Sequence, residues 1–177
     1  MGIGRLVGCL VLGVLLGAVE ATGMTFLPLP WREIHPVLPV IVLFVVREEP
    51  VVAAILAGTA GAVFDVFAID GGSFAFGRLL AIVLLVRFVS RSVLTNQSQY
   101  TAISLAVMAR LADRAWVVLF HLVTRGGSVW QEIAWPSLWR SCLWDVAIIG
   151  SLFFLIVSYR RRFVSTASGS LAPLRRI

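Results

Sequence analysis

The sequence predicts an all-α integral membrane protein of about six transmembrane helices, and three observations support that class. The composition is 59% hydrophobic and 14% charged, with a mean hydropathy of +0.96, whereas soluble domains carry about 25% charged residues. The apolar residues fall in runs separated by short breaks rich in Pro, Gly and Arg. The basic residues are all arginine and concentrate in alternate breaks, the bias of cytoplasmic loops. At about 20 residues per span the chain leaves no room for a separate soluble domain. The expected layout is a single polytopic domain over residues 1–162 and a disordered cytoplasmic tail over 163–177.

The first run begins with Arg5 and is apolar through Ala18. Its apolar character resumes after Glu20 and reaches Leu29, long enough to span, so a retained first helix is expected rather than a cleaved signal peptide. Pro28, Pro30 and Pro36 break it, and Trp31 marks an interface. Residues 37–46 are apolar for only ten positions, a thin or tilted second helix. Pro50 suits the first turn of a third helix, and Glu48 and Glu49 suit its positive end. Runs three and four, 51–69 and 74–89, are joined by Gly71-Gly72, a turn that permits only an antiparallel hairpin. Run five, 100–123, carries Arg110, Asp113 and Arg114 and ends at Arg125-Gly126-Gly127-Ser128. Trp130, Trp135 and Trp139 lead into run six, 136–159, which holds Arg140 and Asp145 and is expected to stop at Arg160-Arg161-Arg162. Cys9 and Cys142 both lie inside apolar runs, the pattern of buried thiols rather than of a disulfide or metal framework.

With six spans, Arg5, Arg47, Arg87, Arg91, Arg160 to Arg162 and the tail arginines fall on one side; Arg32 and Arg125 fall on the other. Both termini are then cytoplasmic. At about 1.5 Å per residue, Glu20, Asp65, Arg78, Arg110, Asp113, Arg114, Arg140 and Asp145 gather between the midplane and the outer face, acids and bases in balance.

On helix three, Ala54-Gly58-Ala62 and Ala57-Gly61-Asp65 form adjacent i,i+4 ridges of small residues that let another backbone approach closely. On helix five, Arg110 and Arg114 share a face and Asp113 stands three residues from Arg110. One of these arginines must find an acid elsewhere, with Asp65, Glu20 and Asp145 as candidates, since an unpaired charge at mid-membrane costs about 2.5–3.5 kcal/mol. A polar network fixing helix register, a substrate or ion site, and a partner-facing surface are all compatible with this pattern. Catalysis has no support: His35 and His121 stand apart, and no HExxH, GxSxG, Cys-His pair or phosphate loop occurs. No enzyme activity, cofactor or metal is expected. The basic balance does not point to nucleic acid, because no basic face with interleaved aromatics exists.

The order of elements resembles a known family. A first helix ends in Thr25-Phe26-Leu27-Pro28, and a short second helix opens with prolines. A Gly-rich third helix closes on Gly61-Ala62-Val63-Phe64-Asp65, and a turn holding Gly72 precedes the restart Phe74-Ala75-Phe76. Over residues 5–162 this resembles the rod shape-determining protein MreD family, with Gly61, Asp65 and Gly72 the distinctive positions. Ala68, Ile69 and Asp70 depart from the family pattern, as does the heavily charged Arg110/Asp113/Arg114 group. The resemblance implies a bundle like that of MreD and of energy-coupling-factor S components. It also implies a non-enzymatic scaffold in the bacterial inner membrane that binds the bitopic protein MreC and, through it, links MreB to peptidoglycan synthases. The alternative is a vitamin-binding S component, which needs long outer loops to lid a pocket, where this chain has the short turn at residues 69–73.

Overall fold

The computed structural model describes residues 2–23, 26–28, 34–47, 49–67, 74–92, 99–125 and 135–168. Among these the chain is all-helical: α1 (Ile3–Ala18), a π-helical turn (Val19–Gly23), α2 (Val37–Val46), α3 (Pro50–Val66), α4 (Ala75–Ser92), α5 (Gln99–Arg125) and α6 (Trp135–Ser168). Two stretches, Ile3–Gly23 and Leu138–Ile156, are long and apolar enough to cross a membrane; α2 and α3 are apolar but shorter.

The ten-residue α2 is the centre of the bundle. It touches α3, α4, α5 and α6, and eight of its residues, all but Val40 and Phe44, are buried. A helix that is hydrophobic all round belongs in an interior, and this sequence has no polar position to turn outward. Around it the core is built from Leu56 of α3, Val86 of α4, Leu105 of α5 and Ile149 of α6.

The surface is inverted relative to a water-soluble bundle. Ile3, Leu15, Leu84, Phe88, Leu119, Leu143 and Phe154 are exposed, whereas Arg78, Arg110, Asp113 and Asp145 are buried. α5 shows the inversion within one element: Arg110 and Asp113 point inward while Leu111, Leu119 and Val123 face out.

Helix α3 is gripped from two sides by backbone contact. On one side α1 presents Gly13 and Gly17, its only two buried residues. A Cβ on Gly13 would stand 1.8 Å from Thr59 Oγ1, and one on Gly17 would stand 3.0 Å from Ala60 Cα. Thr59 fits there because its hydroxyl donates back to the Ile55 carbonyl at 2.8 Å. On the other side Gly61 meets α4, where a Cβ would come within 2.6 Å of Phe76 Cα. The small-residue ridge expected to admit a neighbouring helix therefore admits one from its own chain at Gly61. Gly58 is looser: a Cβ there would meet only the Phe76 ring, at 3.4 Å.

Four element boundaries differ from those the sequence suggests. The first helix ends with the π-turn at Gly23 rather than reaching Leu29, α3 ends at Val66 rather than Ile69, α4 runs past Val89 through Arg91 to Ser92, and α6 continues past Arg160-Arg161-Arg162 to Ser168. Arginine is a good helix former, so a basic triplet marks an interface without ending the helix. Residues 163–168, expected to be disordered tail, are thus helical; 169–177 lie outside the described residues, as do Gly72 and the turn expected at 69–73. Pro50 takes the first turn of α3 as expected, but Glu49 does not cap that helix with its side chain: it pairs with Arg5.

Candidate functional site

Four elements and the segment before α2 bring the buried charges to one place. Arg78 is the fourth residue of α4, Arg110, Asp113 and Arg114 lie on α5, Asp145 lies on α6, and Glu20 projects from the π-helical turn that ends the first helix. A π-turn inserts an extra residue and re-aims its side chains, and such turns concentrate at functional positions.

The tightest link is between α5 and α6. The Arg110 Nε donates to Asp145 Oδ2 at 2.6 Å and its Nη2 donates to Oδ1 at 2.7 Å, a two-pronged fork. Both residues are sealed, at 3% and 0% exposure. The link between α4 and α5 is an ion pair of Arg78 Nε and Asp113 Oδ1 at 3.2 Å. Asp113 also lies 3.9 Å from Arg110 within its own helix, so Arg78 and Arg110 flank it. Glu20 lies on the same cavity with its own partners: its Oε1 is 2.9 Å from His35 Nδ1 and its Oε2 accepts the Val37 N–H at 3.0 Å. That second bond caps the start of α2, where free N–H groups and the helix dipole favour a carboxylate.

Glu20, Arg78, Arg110 and Asp113, with His35, Val37, Leu38, Phe64, Leu79, Arg114 and Val117, line a partly open cavity of about 70 Å³, with Asp145 behind Arg110. Arg114 stands apart from the other charges. It makes no ion pair among the described residues, and its Nε is buried without a hydrogen-bond partner.

Of the sequence-predicted residues, Glu20, Arg78, Arg110, Asp113, Arg114 and Asp145 meet as one cluster. Asp145 is the acid on another helix that an α5 arginine needed. Arg140 is exposed, and Asp65 does not join these ion pairs. Its Oδ1 accepts the Ala75 N–H at 2.7 Å and its Oδ2 the Phe76 N–H at 3.0 Å. It therefore caps α4 from α3. The cap is needed because Phe74, just before α4, holds a left-handed backbone at φ 52° and supplies no side-chain oxygen. Asp65 and Glu20 thus do the same work at the starts of two different helices. Sequence reasoning missed His35 as a partner of Glu20 and missed Gly13 and Gly17. The latter were legible as a small-xxx-small spacing on the first helix.

Both cysteines are free thiols, Cys142 buried and Cys9 half-buried. No group of three or more metal-ligating side chains occurs among the described residues. No family model, curated protein or solved structure matches this chain.

Proposed function

We propose that this chain is a six-span, non-enzymatic scaffold of the bacterial cytoplasmic membrane. Like the MreD family it resembles, it would bind an MreC-like bitopic protein and contribute to cell elongation and rod shape, with both termini cytoplasmic. The observation that carries the reading is the inverted bundle with a nearly filled polar centre. Charged side chains are expensive in lipid and turn inward to one another, as Arg110, Asp145, Arg78 and Asp113 do. Large apolar side chains cover the outside, where a water-soluble monomer would rarely expose so much.

The size of the centre supports a scaffold over a vitamin carrier. Pockets for organic ligands of that size measure roughly 300–1,000 Å³, whereas the cavity at the charged cluster is about 70 Å³. Most of its charged side chains are engaged in pairs that join α4, α5 and α6 or cap α2.

Two measurements test the proposal. Depleting the protein in a rod-shaped host should round the cells; unchanged rods would overturn the shape assignment. Purification of the full chain in mild detergent should retain a bitopic coiled-coil protein, and retention of an ATPase module instead would favour the transporter class.

A further inference from the structure

We infer that the cavity beside Arg114 is a binding site for a single small anionic group, a carboxylate or a phosphate. The inference rests on the membrane placement proposed above and not on the identity of any protein partner. Each acid of the cluster already has its own partner. Asp145 spends both oxygens on Arg110. Asp113 lies between Arg78 and Arg110. Glu20 is divided between His35 and the Val37 N–H.

Arg114, half-buried, has no such counterpart among the described residues. Its guanidinium offers up to five donors in a planar fork suited to carboxylate or phosphate oxygens, and its Nε is buried with none of them in reach. A buried donor without an acceptor is costly, so the arrangement calls for an acceptor from outside the chain. The pairing selects its sign: Arg78 and Arg110 are already matched by Asp113 and Asp145, and among the described charges that line the cavity Arg114 alone makes no ion pair. At about 70 Å³ the space admits a few water-sized groups, which suits one carboxylate or phosphate head and excludes a larger ligand.

A soluble anion and the headgroup of an anionic lipid share this chemistry, and one experiment separates them. The full chain is reconstituted in nanodiscs of phosphatidylcholine or of phosphatidylglycerol, and arginines are modified with phenylglyoxal, read peptide by peptide by mass spectrometry. Arg5 and Arg91, exposed and far along the chain from the cluster, serve as internal controls. Protection of Arg114 alone, in phosphatidylcholine discs only after phosphate or acetate is added, assigns a soluble anion. Protection in phosphatidylglycerol discs in phosphate-free buffer assigns a lipid headgroup. Equal modification of Arg114 under every condition overturns the site. Where protection occurs, R114Q should weaken anion binding by about tenfold or more while R91Q leaves it unchanged; undiminished binding in folded R114Q would also reject the assignment. Cell shape is not an input to this measurement, so its failure is distinguishable from failure of the scaffold reading.

Discussion

The two sides of the bundle are joined by opposite means. Between α1, α3 and α4 the helices meet because side chains are missing: Gly13, Gly17 and Gly61 let backbone come against backbone or short side chain. Between α4, α5 and α6 they meet through long charged side chains, the Arg78–Asp113 pair and the Arg110–Asp145 fork. The first kind of joint gains dispersion contact over many atoms and tolerates no added volume. The second concentrates its hold in a few directional bonds and tolerates no lost partner. On the membrane placement proposed above, where burial of apolar surface between helices gives little drive, close packing at small residues and polar contacts between helices are two of the means left to make them adhere.

The contrast orders the expected effects of mutation. Removing one partner of the sealed fork, as in D145A, leaves Arg110 charged and unpaired and should cost about 3–5 kcal/mol. Thermal unfolding in detergent should show this as the largest loss of any single substitution here. The double variant R110L/D145L should recover most of it, since a buried pair replaced by apolar groups is often neutral; equal instability of single and double variants would refute the pairing. On the glycine side, G61V forces volume against the Phe76 backbone and should cost about 1–3 kcal/mol. D65A strips the cap from α4 and should cost about 1–2 kcal/mol, with amide exchange rising first at Ala75 and Phe76. Smallest is G58A, whose Cβ has ordinary room and which should stay within about 0.5 kcal/mol of the parent. A G58A effect as large as that of G61V would erase the distinction between the two positions of the ridge.

Much of this plan is legible in the sequence, and the parts that are not share a cause. The bounds of α2 follow from one uninterrupted apolar run between Pro36 and Arg47, and the Pro50 start of α3 from proline's fixed backbone. Depth counting groups Glu20, Arg78, Arg110, Asp113, Arg114 and Asp145, but it also counts in Asp65, which caps α4, and Arg140, which is exposed. Which acid meets which base does not follow from depth. Arg110 and Asp145 are 35 residues apart, and their pairing depends on the rotation of α6 about its axis, which a list of depths leaves free. Asp65 is harder still, because its partners are backbone N–H groups, and every residue but proline has one. The end of α6 is hidden for a different reason: arginine is common at membrane interfaces and also propagates a helix, so a basic triplet alone does not mark a helix end.

The centrality of α2 has a consequence for how such a chain is made. Ten residues rise about 15 Å, roughly half the thickness of a bilayer's hydrocarbon core. On the membrane reading, α2 leaving the ribosome has neither the length to hold itself across lipid nor a polar face to rest at the surface. Its seat is made by α3, α4, α5 and α6, all synthesised after it, while its starting N–H group is met by Glu20, synthesised before. Insertion order and assembly order therefore part company: the second helix to emerge is among the last to settle, and a chain truncated before α5 should be handed to proteolysis with α2 unplaced.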